Sequence, residues 1–328
     1  MRRGPLVTGL PGTAQGPSGA PEIGLIGLGP MGTALAVGLL RAGWPVRCHD
    51  ARPEAVAEAV AAGATTAGSP RELATRCRWV LTFLPGPDQV HEAALDPERG
   101  VLAGLAPGGL LLDLSTCGPD TAELLGARFA AAGRRFLDCP VSRKAPDSTL
   151  LVGGAEGVLG ELEPALRAVS RTLVHCGRLG AGYTVKLLNQ HIKYAWYLAS
   201  AEALLIAEAV GLDPALAAEA VQECSGAESG LSTAASYFRG DTAAVRTRAP
   251  ATTIAKDMAL AERLAESAAI HSPTLDVTAA FFRHVMDTPY RHRPYPESSA
   301  LLPSYTAPPA SDTPSPPPPA DAPATPAG

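Results

Sequence analysis

Residues 22–32 read EIGLIGLGPMG: an apolar run breaks into Gly27, Gly29 and Gly32, spaced G-x-G-x-x-G, and continues as MGTALAVGLLRAG, whose apolar residues recur at helical spacing. A strand turning sharply into a helix is the context in which this spacing has a physical use. Gly27 permits the tight turn, Gly29 lets a pyrophosphate approach bare backbone, and Gly32 lets the helix pack closely; Leu28, Pro30 and Met31 complete the same binding turn. Asp50 ends the next apolar run, PVRCHD. A carboxylate there accepts hydrogen bonds from an adenosine ribose and repels a 2′-phosphate, so NAD is the expected cofactor, with NADP left open by Arg52 two residues on.

Outward from that turn the alternation of strand and helix continues. EIGLIGL (22–28), PVRCHD (45–50), RWVLTFL (78–84), GLLLDLS (109–115), RRFLDCP (134–140), LLVGG (150–154) and TLVHC (172–176) read as strands, several apolar throughout, as strands covered on both faces must be. Helical spacing fills the gaps, and Ser69-Pro70-Arg71-Glu72 reads as an N-cap, a first-turn proline and a capping-box glutamate. The fold class expected is α/β, a Rossmann-type doubly wound parallel sheet, followed by an all-helical domain that opens with TVKLLNQHIKYAWYLASAEALLIAEAV as one long helix. The domain boundaries expected are a flexible leader at 1–20, the dinucleotide-binding domain at 21–179, the helical domain at 180–290 and a disordered tail at 291–328, where ten prolines from Leu301 onward favour extended backbone. The long helix carries more apolar surface than one small domain covers, so a homodimer is expected.

Composition excludes several classes. A net charge of -5 with no basic block gives no footprint for nucleic acid. No run approaches the roughly 20 apolar residues needed to span a bilayer, so a cytoplasmic location without membrane contact is expected. The six cysteines show no C-x-x-C pair, which reads as reduced thiols and no metal site.

A second motif, GAGYTVKLLNQ (180–190), opens the long helix and places Lys186 and Gln190 four apart on one face. Taken alone, Lys186 is either a functional amine or a lysine snorkelling from a packed face. In order along the chain, GLIGLGPMG, LPGPDQV, DLSTCGP, DCPVS, GAGYTVKLLNQ and AKDMALA resemble the stations of the β-hydroxyacid dehydrogenase family, which includes 3-hydroxyisobutyrate dehydrogenases and tartronate semialdehyde reductases. The resemblance spans residues 22 to about 288. It implies hydride transfer between NAD(P) and a small, anionic 3-hydroxy acid or semialdehyde. It implies Lys186 as the general acid/base, Gln190 (an asparagine in many members) as its catalytic neighbour, and Ser142 as the serine that binds substrate, with Asn189 and Asp257 beside it. It also implies Leu84, Pro85, Gln89, Thr116 and Lys256 around the nicotinamide. The family's two glycines after that serine are replaced here by Arg143 and Lys144, in a loop about three residues shorter. The expectation is Arg143 turned inward to grip an anion and Lys144 adding charge, against a reading in which both are solvated. An imine reductase-like enzyme on the same fold and a catalytically silent dinucleotide-binding module are the alternatives.

Overall fold

The computed structural model describes residues 7–8, 19–154, 157–209, 211–224, 249–267 and 271–305. Its centre is a six-stranded parallel sheet ordered β4-β3-β2-β5-β6-β7, built from β2 (Ile23–Ile26), β3 (Val46–His49), β4 (Thr65–Thr66), β5 (Trp79–Thr82), β6 (Leu110–Asp113) and β7 (Arg135–Asp138). Successive residues of a strand face opposite ways, and both ways lead into a core. Ile23, Leu25, Trp79, Leu81, Leu110 and Leu112 pack into one cluster, while Ile26, Val80 and Leu111 pack into another on the opposite face. That double burial is why these runs are apolar throughout rather than alternating.

Helices α1 (Pro30–Arg41), α2 (Ala57–Ala61), α3 (Pro70–Arg76), α4 (Pro87–Leu95), α5 (Val101–Gly104), α6 (Pro119–Ala131) and α7 (Glu163–Ala168) accompany the sheets. At α3 the expected N-cap forms, with Ser69 Oγ accepting from the Glu72 N–H; the Glu72 carboxylate reaches back to the Gly68 N–H, one residue beyond the expected partner. The expectation of one sheet is corrected at its end. LLVGG and TLVHC form β9 (Thr149–Gly153) and β10 (Thr172–Gly177) of a separate four-stranded sheet, ordered β1-β10-β9-β8. Its short β8 (Val141–Ser142) pairs antiparallel with β9, and β1 (Val7–Thr8) pairs antiparallel with β10. Val7–Thr8 therefore packs, against the expectation for the leader; most of that leader lies outside the described residues.

The helical part holds α8 (Ala181–Ala209), α9 (Pro214–Gln222), α10 (Ala251–Ser267), α11 (Pro273–Met286) and α12 (Leu302–Tyr305) around a core that includes Tyr194, Tyr197, Met258, Phe281, Phe282 and Tyr295. The expected tail boundary at 291 is also corrected. Residues 289–301 form two 3₁₀ turns that bury Tyr295, Pro296, Ser298 and Ser299, and the Tyr197 hydroxyl donates to the Pro296 carbonyl at 3.1 Å. The proline-rich stretch from residue 306 lies outside the described residues. Among the described residues no helix is long and apolar enough to cross a membrane, and no group of three or more His, Cys, Asp or Glu side chains could hold a metal ion. All six cysteines are free.

Candidate active site at the carboxyl edge of the sheet

β2, β5 and β6 are neighbours, and each runs into a helix that begins Gly-Pro: Gly29-Pro30, Gly86-Pro87 and Gly118-Pro119. A glycine cap offers no side-chain acceptor, so α1, α4 and α6 start without a side-chain cap, while proline removes one first-turn donor; in α6 the Thr121 N–H turns back to the Gly118 carbonyl. Three helices elsewhere are closed instead: Ser69, Asp213 and Ser272 cap α3, α9 and α11 with their side chains. Three bare helix starts thus lie side by side where the strand order reverses, the position at which open α/β sheets bind dinucleotides.

Gly27 has a φ of 95°, left-handed backbone that favours glycine, and a Cβ on it would collide with the Phe83 carbonyl. A Cβ on Gly32 would collide with the Gly27 carbonyl, whereas nothing stands within 4 Å of the corresponding position on Gly29. That opening over a bare helix start fits a pyrophosphate. Asp50 ties the turn together. Its Oδ2 accepts the Leu28 N–H at 2.7 Å and its Oδ1 the Arg52 N–H at 2.9 Å, with the exposed Arg52 Nε 3.5 Å away. Met31 is half-buried against the core beneath the turn.

On the far side, Lys186 is buried and its Nζ donates to the Val141 carbonyl at 2.9 Å, one residue before Ser142. Burial pulls its pKa down to about 8; Asp257 opposes this, and Lys193 and Lys256 add to it. Gln190, also buried, donates from Nε2 to Asp257 Oδ2 at 2.6 Å and more weakly to the Tyr194 hydroxyl at 3.4 Å. Asn189, exposed at the rim, donates to Gln190 Oε1 at 3.3 Å. Lys256 crosses from α10 to the sheet. Its Nζ lies 2.9 Å from Asp257 Oδ1 and donates to the Thr116 carbonyl at 3.1 Å, and its stem runs over Gly86, where a Cβ would approach Lys256 Cδ to 3.2 Å. The Leu84 N–H donates to Ser115 Oγ at 2.8 Å. Lys186, Gln190, Asp257, Lys256, Thr116 and the Val141–Ser142 strand are therefore brought into one cluster. Pro85 and Gln89 are exposed beside Gly86.

Arg143 and Lys144 open the loop that joins β8 to β9, and both are exposed. Among the described residues neither makes an ion pair. Arg143 is the one non-glycine residue among them with a left-handed φ, 66°, so this hairpin keeps a glycine-like backbone with an arginine on it.

Three features escaped the sequence reading. Asp138, fully buried at the end of β7, accepts the Gly180 and Tyr183 N–H groups at 2.7 and 2.9 Å and so holds the start of α8. Asp113, fully buried at the end of β6, accepts from Thr82 Oγ1 and Ser115 Oγ, both at 2.6 Å, and from the Tyr183 hydroxyl. Burial pushes both carboxyls upward against those hydrogen bonds. In GLLLDLS and RRFLDCP each aspartate follows an apolar run directly, the available sign that it is buried. The third is Lys193, seven residues beyond Lys186 on the same helix face.

Comparison with known proteins identifies the family. The family model described as the NAD binding domain of 6-phosphogluconate dehydrogenase matches residues 22–177. The one described as NAD-binding of NADP-dependent 3-hydroxyisobutyrate dehydrogenase matches residues 180–293. An NAD-dependent L-serine dehydrogenase of Pseudomonas aeruginosa is 31% identical over 289 residues, covering 84% of this chain and 95% of its own. An L-threonate dehydrogenase of Cupriavidus necator is 37% identical over 199 residues, 59% of this chain and 67% of its own. The crystal structure of 3-hydroxyisobutyrate dehydrogenase from Salmonella typhimurium superposes with a TM-score of 0.77 at 25% identity, over 86% of this chain and 99% of that one. By these matches, over an open glycine turn and a buried lysine, the chain belongs to the β-hydroxyacid dehydrogenase family of NAD(P)-dependent oxidoreductases acting on CH–OH groups.

Proposed function

We propose that the protein interconverts a small anionic 3-hydroxy acid and its semialdehyde, with Lys186 moving the proton. When bound, the nicotinamide supplies or accepts the hydride. The observation that carries this reading is the place of the Lys186 amine: desolvated, held on the Val141 carbonyl beside Ser142, and on one helix face with Gln190. Loss of hydride from an alcohol carbon needs a base for the hydroxyl proton, and the reverse needs an acid. With a pKa of about 8, Lys186 holds roughly ten ammonium forms per amine at pH 7, which suits reduction and leaves base available for oxidation.

Gln190 Nε2 carries two hydrogens. One is held by Asp257, and the other makes only the long contact with Tyr194; a substrate oxygen replaces that second partner. Ser142 binds the substrate at the hairpin base, Arg143 and Lys144 in the loop that follows attract the carboxylate, and Asn189 edges the opening. Leu84, Pro85, Gln89, Thr116 and Lys256 surround the nicotinamide end of the cofactor. Asp50, already turned toward the ribose side by two backbone N–H groups, favours NAD.

An absorbance assay at the NADH band against hydroxy acids and semialdehydes, with phosphorylated and sulfonated members, tests the reading. Turnover of at least one is expected, slower with NADPH by about tenfold from charge repulsion at Asp50. Arg143→Ala raises KM for an anionic substrate much more than for a neutral alcohol; an equal effect on both removes Arg143 from recognition. Cofactor binding without turnover of any carbonyl or alcohol favours the silent module, and reduction of cyclic imines alone favours the imine reductase reading.

Val185, Leu188, Ile192 and Trp196 are exposed along one stripe of α8, spaced i, i+3, i+7, i+11. A stripe of this kind is normally covered, and a second copy of the chain is the proposed cover. Sedimentation should give a dimer for the native protein and a monomer for the Ile192→Glu/Trp196→Glu variant.

A further inference from the structure

Lys193 enters the proton-transfer chemistry only through the charge it adds near Lys186, yet it lies on the same face of α8. Lys186, Gln190 and Lys193 are spaced i, i+4, i+7, so their side chains leave the helix on one side, and Gln190 is fixed there by Asp257. The Lys193 ammonium rests 5.0 Å from the centre of the Tyr194 ring and 6.0 Å from that of Tyr295. The side chain is exposed, and desolvation by the neighbouring protein lowers the ammonium pKa, with Asp257 opposing. Among the described residues no carboxylate comes within ion-pair distance of it. The nearby acid, Asp257, is taken up by Gln190 and Lys256.

A cation on the face that carries Lys186 and Gln190, supported by two rings and left without an anion, is set to receive one from solution. Seven residues of helix separate its Cα from that of Lys186 by about 10 Å, so an anion on Lys193 sits several bonds from an oxygen on Lys186. The Ser142 hairpin, whose Val141 carbonyl holds the Lys186 amine, serves the ordinary carboxylate. We propose that Lys193 recognises a second anionic group (a carboxylate, sulfonate or phosphonate) on the end of the substrate remote from the carbon that exchanges hydride. This deepens the hydroxy-acid reading and rests on it for the placement of the first carboxylate.

Equilibrium binding keeps the two readings separable, because it needs no turnover. Propionate, succinate, 3-sulfopropionate and 3-phosphonopropionate share one frame and differ in the second anion. They are titrated against the NADH-loaded protein by the change in cofactor fluorescence, with native protein, Lys193→Met and Lys193→Arg. The native protein should bind at least one of the three dianions about 20-fold more tightly than propionate, the scale of one hydrogen bond to a charged group. Methionine, which can rest on the same rings, should reduce that preference to within about threefold while leaving propionate unchanged, and arginine should restore it. Which dianion gains most identifies the second group. An equal loss for propionate and the dianions, or no native preference for any dianion, overturns the proposal. If the dianion preference behaves as expected but no hydroxy acid is ever turned over, the dehydrogenase reading fails and the site at Lys193 stands.

Discussion

Lys186→Met is expected to abolish turnover and to make the protein harder to unfold. The general acid/base contribution puts the loss in kcat at about 10³-fold, with NADH affinity unchanged. The stability gain follows from the lowered pKa. The folded amine titrates near 8 against 10.5 for an ordinary lysine, so between those values the unfolded chain holds a proton that the folded protein has released. Holding that proton in the fold is a penalty of about 3 kcal/mol at pH 7, from 2.5 units at 1.36 kcal/mol each. Methionine removes the penalty but also the hydrogen bond to Val141, worth about 1 kcal/mol, leaving a net gain of about 2 kcal/mol. The penalty is fully present below pH 8 and fades as the pH rises through 10.5, so the advantage of the variant should fade with it. Denaturant unfolding at pH 7 and pH 10.5, beside a single-turnover assay, checks both halves. Surviving turnover removes Lys186 from its role, and a stability difference that ignores pH shows that its amine is not desolvated.

The second large effect is at Asp138, which touches neither cofactor nor substrate in this reading. Its carboxylate holds the Gly180 and Tyr183 N–H groups at the start of α8, and α8 carries Lys186, Gln190 and Lys193. A Cβ on Gly153 would collide with this carboxylate, and one on Gly182 with the Leu151 carbonyl, so the chain on both sides is shaped around it. Asp138→Ala leaves buried donors without an acceptor and should lower stability by about 3 kcal/mol. Because the helix start then loosens, kcat should fall about 10²-fold, the scale of a 1 Å misplacement. Asp138→Asn keeps one acceptor and should fall between the two. Unfolding midpoints and kcat measured on both variants must follow that order; an alanine variant as stable as the native protein would show that α8 is anchored elsewhere.

Much of this architecture could be read before folding, for identifiable reasons. Five of the six strands of the central sheet were legible, β2, β5 and β6 because double-sided burial demands unbroken apolar runs. The glycine turn was legible because positive φ and close approach leave little choice of residue. Lys186 and Gln190 were legible through their spacing and through the family resemblance. The remainder depends on long-range pairing that local pattern does not encode. Nothing in LLVGG or TLVHC says which sheet they join, and Thr65–Thr66 is an exposed two-residue edge with no burial to mark it. The proline-rich composition hid Tyr295, whose ring meets Tyr194 and Tyr197 edge-on at 5.2 and 4.9 Å. Asp113 and Asp138 look like turn aspartates until their partners, up to 70 positions away, are known. Lys193 reads as an ordinary helix-surface lysine, since only tertiary packing brings Tyr295 beneath it.

The backbone at Arg143 restricts how this hairpin can change. A left-handed conformation penalises any residue bearing a Cβ by about 1–2 kcal/mol, β-branched ones the most, and spares glycine. Mutational drift at position 143 is therefore lopsided. Substitution by glycine relaxes the turn at once, asparagine or aspartate enter with little resistance, and valine or isoleucine are effectively barred. An arginine that stays there does so uphill, so a gentle thermal screen of random variants should enrich for glycine at the very position where the chain now displays its cation.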